Sequence, residues 1–309
     1  MSEHIGSSEK LTHNTETDIY LMRHSNRFGG KGEWTDPATS EVIKWNDTED
    51  LTPEGKARAR EFGLDLRGEH NSVVGVGSME GRAAETASDI EEGFGQERGQ
   101  VNQASGITYK ELGPDGQAML KAAKPLIQAK AGSHPEYGRL SPEERATVRQ
   151  GAQEVGLREG LKDMAFRAEA AEGLAFNLWL LKQFAEKGVT PDNKVAMPIV
   201  NHGLFNESFL LETLEVEDEN GKKVKLSDVD DIGGFFAPAE AFKIKIKRNG
   251  SNEKVECSFT DPNRQAIFEG KKLSLDWSKV EELFYKFEER MATRENRVSR
   301  FKRGERLEE

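Results

Sequence analysis

Two hydrophobic patterns alternate along this chain. Short apolar runs at residues 18–22, 72–77 and 194–200 are rich in strand-forming residues, and a segment of helical spacing follows each of them. Thr52-Pro53-Glu54 places a hydroxyl at the N-cap, proline at the first helical position and an acid near the positive end of the helix dipole, so a helix opens there and runs to about Leu66. Ser78 stands where it would cap a second helix, whose Ala83, Ala87, Ile90 and Phe94 share one face; Arg82 then falls in its first turn. After Asn201-His202-Gly203 the apolar residues of 204–214 return to a helical period.

Other stretches break this rhythm. Residues 28–50 mix glycines, acids, Pro37 and two tryptophans without a period, which predicts a long loop beside the first strand. Residues 116–187 are mostly helical, interrupted around 132–142, and read as a helical insertion that rejoins the core through the apolar stretch at 174–181. Pro198 inside the third apolar run predicts an edge strand or a bulge, because proline has no N–H for a sheet ladder. Residues 242–247 alternate strictly and 255–259 follow Asn249-Gly250-Ser251-Asn252, a hairpin with lysines on one face. In 277–291, Val280, Leu283, Phe284, Phe287 and Met291 form a helical stripe.

Together these elements predict an α/β fold: a three-layer sandwich with a mostly parallel central sheet, helices on both faces, a helical insertion, and a C-terminal hairpin and helix. The expected organisation is a flexible start over 1–17, one α/β domain over 18–291 with the insertion at about 116–187, and a charged, solvated tail over 292–309.

Composition narrows the function. The 309 residues carry 44 Lys and Arg against 55 Asp and Glu, so the net charge is 44 − 55 = −11, which disfavours a nucleic-acid backbone as partner. No apolar run approaches the roughly 20 residues that span a bilayer, and the first residues lack a signal-peptide core, so no membrane association and a cytoplasmic location are expected. One cysteine, Cys257, rules out an intramolecular disulfide and a thiolate zinc cluster, and no His-Glu-x-x-His pattern is present; neither metal nor other cofactor is expected. The glycine pairs at 29–30 and 233–234 fit no phosphate-loop pattern.

The chemistry gathers at strand ends. Arg23 and His24 follow the first run, Arg82 follows the second and His202 the third. In a parallel sheet covered by helices those ends lie along one edge, where ligands bind. Arginine grips phosphate through paired hydrogen bonds, and histidine can attack phosphorus or donate to its oxygens. His4, His13, His70 and His134 sit in polar contexts and receive no role.

On these residues a resemblance becomes specific. Arg23-His24-Ser25-Asn26-Arg27 resembles the signature of the histidine phosphatase superfamily, which includes the cofactor-dependent phosphoglycerate mutases. Leu51-Thr52-Pro53-Glu54-Gly55, the stretch from Ser78 through Arg82 to Ala87, and Val200-Asn201-His202-Gly203 resemble its later motifs, in the family's order. Ser25 replaces the usual glycine, and Asn201 a frequent serine or threonine.

The resemblance implies that His24 becomes phosphorylated, that Arg23, Arg27 and Arg82 bind the phosphate, and that His202 stabilises the transferring group. It also implies a carboxylic acid that protonates the leaving group; Glu111, in Tyr109-Lys110-Glu111, falls at the corresponding place, with Asp115 and Glu207 as rivals. The expected activity is hydrolysis of a phosphomonoester, with a small phosphorylated molecule or a phosphoprotein as substrate. A mutase-like phosphotransferase and a non-catalytic scaffold are the alternatives. Asn26-Arg27-Phe28 departs from the serine and tryptophan-asparagine with which mutases continue, and this favours the phosphatase. Substrate identity and oligomeric state stay open at this level.

Overall fold

The computed structural model describes residues 14–27, 32–35, 42–45, 51–97, 101–135, 137, 140–188, 194–224, 226–249 and 252–302. Its strands are β1 (Asn14–Arg23), β2 (Gly32–Thr35), β3 (Val42–Trp45), β4 (Ser72–Val73), β5 (Val76–Ser78), β6 (Asn102–Ala104), β7 (Lys194–Asn201), β8 (Leu214–Glu217), β9 (Lys223–Val224), β10 (Ala241–Asn249), β11 (Asn252–Phe259) and β12 (Lys272–Leu275). Its helices are α1 (Pro53–Glu69), α2 (Gly81–Phe94), α3 (Pro114–Gly132), α4 (Pro142–Arg158), α5 (Met164–Gly188), α6 (Phe205–Thr213), α7 (Pro262–Ile267) and α8 (Trp277–Lys302). The fold is the α/β sandwich that the sequence predicts.

The central sheet runs β11-β10-β1-β7-β5-β6, with β4 also on β7. β1, β7, β4, β5 and β6 are parallel; the hairpin of β10 and β11 adds an antiparallel side through β1. Alternation along β1 explains the two cores. Ile19 and Leu21 point to the face packed with Leu174, Phe205, Phe209, Val280 and Leu283, whereas Tyr20 and Met22 point to the face packed with Ala59, Leu66, Ala83, Ala87 and Ile90. α1 and α2 thus cover one face, and α5, α6 and α8 the other.

Several elements differ from expectation for identifiable reasons. β1 begins at Asn14 because Asn14 through Thr17 pair with Asn249 through Ile246, a partner strand that the N-terminal residues do not reveal by themselves. Residues 1–13 lie outside the described residues. The stretch 28–50 contains a two-stranded antiparallel hairpin, β2 with β3; the rest of that predicted loop is outside the described residues, and Arg27 and Leu51, which flank it, form a β-bridge. α8 continues to Lys302, so residues 292–302 of the expected charged tail are helical, and 303–309 are not described.

Pro198 is neither at an edge nor in a bulge. β7 lies between β1 and the pair β4 and β5, in the centre of the sheet. The Ala196 carbonyl accepts from the Val74 amide at 2.9 Å, so Ala196 faces the β4 side, and Pro198, two residues on, faces it too. There the neighbouring strand is interrupted between Val73 and Val76, and a missing donor breaks no ladder.

Candidate active site

The register of the parallel strands delivers the site. Arg23 lies beside Asn201 and Gly77 beside Val200, so β1, β7 and β5 end at one level and His24, His202 and the Ser78 to Arg82 turn leave the same edge. The backbone amide of His24 donates to the Asn201 carbonyl at 2.8 Å, tying the first two ends together. Behind them the loop docks on α1: the Thr52 amide donates to the Asn26 carbonyl at 3.0 Å, and Thr52 caps α1 by accepting from the Gly55 amide at 3.0 Å. A Cβ on Gly55 would meet the Asn26 carbonyl oxygen at 2.2 Å, so this approach requires glycine. Ser25, which replaces the usual glycine, turns its hydroxyl away to the Gly55 carbonyl at 2.7 Å.

His24 is buried and its tautomer is legible. Nδ1 lies 2.7 Å from the Ser25 carbonyl oxygen, which can only accept; Nδ1 therefore carries the proton and Nε2 keeps its lone pair. Arg82 Nε donates to that Nε2 at 3.3 Å. Burial, then the positive charges of Arg82, Arg23 and Arg27, hold the His24 pKa well below 6.5, so the imidazole is neutral at neutral pH. A neutral ring whose Nε2 lone pair faces only the Arg82 guanidinium, among further arginines, has the chemistry to attack an electrophile carried on an anion.

His202 lies edge-on to His24, with ring centroids 5.2 Å apart. Its Nε2 is 3.0 Å from Ser78 Oγ and 3.5 Å from Glu80 Oε2, and its Nδ1 is buried with no partner among the described residues. Burial first, then Arg82 and His24, push its pKa well below 6.5. Arg23 donates to the Phe236 carbonyl and lies flat against Gly203, where a Cβ would come within 2.9 Å of its guanidinium carbon. Arg82 pairs with Glu80 at 2.6 Å. Burial, helped by Arg82 and Arg149, pulls the Arg27 pKa down to about 10, still charged at neutral pH. The structure thus brings together His24, Arg23, Arg27, Arg82 and His202.

Residues 19–112 match the model of the histidine phosphatase superfamily, branch 1. The family is the one the motifs resemble. That span runs from the middle of β1 through β6 with α1 and α2, and so contains His24, Arg27 and Arg82, while His202 lies beyond it. The match supports a phosphatase in general. Among solved structures the chain is similar to a phytase from Citrobacter braakii, at 12% identity and a TM-score of 0.47, over 90% of this chain and 98% of that one. It is similar to a Hafnia alvei phytase at 9% identity and 0.43, over 91% and 98%. A mycobacterial glucosyl-3-phosphoglycerate phosphatase is similar at 16% identity and 0.36, over 84% and 97%. No curated protein matches the sequence.

The three acids named from the sequence lie elsewhere or are committed. Glu111 Oε2 accepts from the Gly106 amide at 2.9 Å and the Thr108 hydroxyl at 3.0 Å, within its own turn. Glu111 lines a cavity with Lys110, Gln117, Arg290 and Arg294, not the recess at His24. Asp115 is exposed in the first turn of α3. Glu207 is fully buried and accepts from the amides of Leu204 at 2.6 Å and Phe236 at 2.7 Å, which fixes the start of α6 and the carbonyl that holds Arg23. Burial raises its pKa.

Sequence reasoning missed three site residues. Glu80 was not singled out, and Ser78 only as a helix cap; the structure gives the N-cap position of α2 to Glu80 and turns Ser78 to His202. Tyr109 stacks on His202 at 5.4 Å and donates to the Gly203 carbonyl at 2.8 Å. It arrives because β6, too short to read from its pattern, is another parallel strand ending at the same edge. The signal available for Glu80 was its place two residues after a strand end.

Among the described residues no helix is long and apolar enough to cross a membrane.

Proposed function

We propose that the protein hydrolyses a phosphomonoester through a phosphohistidine on His24. The observation that carries this is the state of His24: proton on Nδ1, lone pair on Nε2, held neutral among arginines. Nε2 attacks phosphorus, the ester P–O bond breaks, and the leaving oxygen takes a proton from a carboxylic acid. Water then attacks the phosphorus, the P–N bond breaks, the carboxylate recovers a proton and inorganic phosphate departs. Arg23, Arg27, Arg82 and His202 hold the non-bridging oxygens, so the catalysis is positioning plus charge stabilisation.

For the acid, geometry favours Glu80 over Glu111. Glu80 reaches both Arg82 and His202, while Glu111 Oε2 is engaged by its own turn.

The test is to mix the protein with p-nitrophenyl phosphate, quench in alkali, where phosphohistidine survives, and map the modified peptide by mass spectrometry. Phosphate on the peptide containing His24, absent from His24→Ala, is the expected result. Full turnover by His24→Ala would overturn the assignment.

A further inference from the structure

Arg23 is held by a loop, 232–240, that lies far along the chain from the motif carrying it. Its Nη1 donates to the Phe236 carbonyl, while its Nε is buried with no partner among the described residues, so the position of one carbonyl sets how the planar guanidinium is turned. The loop also lines the recess at His24 through Pro238. Two backbone bonds stitch it to β1: the Arg23 amide donates to the Glu240 carbonyl at 3.1 Å, and the Ala239 amide to the Arg23 carbonyl at 3.2 Å. Ala239 sits at a φ of 63°, the left-handed region that is costly for a residue with a Cβ and persists only where the surroundings enforce it.

Arg264 of α7 supplies that enforcement. Its guanidinium is buried, and all three of its nitrogens are given to the loop. Nη1 donates to the Ile232 carbonyl and, at 2.8 Å, to that of Gly234; Nη2 donates to the Phe235 carbonyl at 2.9 Å and to Glu240 Oε2 at 3.1 Å; Nε donates to Glu240 Oε1. The guanidinium carbon also lies 4.7 Å from the centroid of the Phe236 ring. Glu240 Oε2 accepts in turn from the Ala237 amide at 2.7 Å, so the ion pair grips the backbone on both sides of Phe236. Asp261, the N-cap of α7, accepts from the Arg264 amide at 2.8 Å and fixes where this side chain starts. Desolvation offsets most of the attraction in a buried ion pair, so its clearest product here is a single backbone shape, and that shape includes the carbonyl on Arg23. Arg264 and Glu240 both lie beyond residues 19–112, the span that matches the family.

We propose that Arg264, clamped to Glu240, is a positioning residue for the phosphate site: it fixes the Phe236 carbonyl and through it the orientation in which Arg23 meets the phosphoryl oxygens. The inference rests on the reading of Arg23 as a phosphate ligand.

A double-mutant cycle on the binding of inorganic phosphate tests it without turnover. Calorimetry compares the wild type, Arg264→Gln, Arg264→Lys, Arg23→Gln and the two double variants. With Arg23 in place, Arg264→Gln should weaken phosphate about tenfold and Arg264→Lys, which keeps the charge on Glu240 but not the fork, about threefold. With Arg23→Gln in place, either change should cost less than about twofold more. Arg264→Lys carries the cycle if the glutamine, which leaves Glu240 buried and unpaired, lowers the urea midpoint too far for the assay. Equal losses in both backgrounds mean a merely structural role and overturn the clamp, as does no loss in either, while Arg23 stays a phosphate ligand. No loss on Arg23→Gln itself sinks the reading of Arg23 and the clamp with it. Hydrolysis of p-nitrophenyl phosphate separates the remaining case: the expected cycle without turnover by the wild type sinks the phosphatase and leaves the clamp standing.

Discussion

Two buried histidine sites flank the same strand and have opposite surroundings. His70, beyond the end of α1, gives Nδ1 to the Leu66 carbonyl at 3.1 Å and Nε2 to Asp18 at 3.0 Å, and Asp18 also pairs with Lys243 at 2.7 Å. Burial raises the Asp18 carboxyl, yet the bonds from His70 and Lys243 hold it below 3.8. Both ring nitrogens are used and the charges are matched, so this cluster ties α1, β1 and β10 together. Although Asp18, Glu69 and His70 offer ligand atoms within 4.8 Å of one another, the Lys243 ammonium already supplies the cation. His24 instead has one nitrogen on a carbonyl and the other among arginines. A histidine tied to a carboxylate builds structure, and one whose lone pair faces a phosphate-binding type of side chain in a positive field is equipped to react.

The largest expected effect breaks that contrast directly. His24→Ala should lower kcat/KM for p-nitrophenyl phosphate by about 10⁴-fold or more, as expected when a nucleophile is removed. His70→Gln should leave that rate within a fewfold and cost about 2 kcal/mol of stability, read by urea unfolding, because Asp18 loses a charged hydrogen bond. Comparable rate losses in both would erase the distinction.

A smaller effect separates the two glutamates. Glu80→Gln should lower kcat for an alkyl phosphate by about 100-fold and far less for p-nitrophenyl phosphate, whose leaving group departs without a proton. Glu111→Gln should change both substrates alike and weaken the turn at Gly106 and Thr108 by about 1 kcal/mol. The reverse pattern would return the acid role to Glu111.

The smallest is a pH effect on stability. His24 and His202 stay neutral in the fold while the unfolded chain takes up protons near 6.5, so the folded state binds fewer protons below that value. Their contribution is present above 6.5 and is lost as pH falls from 6.5 toward the folded pKa values, by about 1.4 kcal/mol per histidine per pH unit. His24→Asn, which does not titrate, should flatten urea-unfolding stability between pH 6.5 and 5. The Asp18 contribution is also lost on acidification, but its window lies below the 3.8 of an ordinary aspartate, so it does not mask the test. An unchanged slope in His24→Asn would show that His24 is charged in the fold.

Much of this protein was determined by its local sequence. Apolar runs ending in Arg23-His24, Ser78 and Asn201-His202 specify buried strands with charge at one end, and the Thr52-Pro53-Glu54 start specifies α1, because strand period and helix capping are local physics. What depended on partners far along the chain was not legible there. Pro198 is tolerated in a central strand only because the break between β4 and β5 lies opposite it. Asn14 and Thr15 join the strand through β10, and Glu16 and Thr17 through β10 on one side and β7 on the other. Glu111 and Glu80 look alike as isolated glutamates; the turn at Gly106 engages one and the Arg82 and His202 side chains the other. Side-chain type and period set which elements form and what charge they carry, whereas long-range register and packing decide which polar atoms are already satisfied, and therefore which are left to meet a ligand.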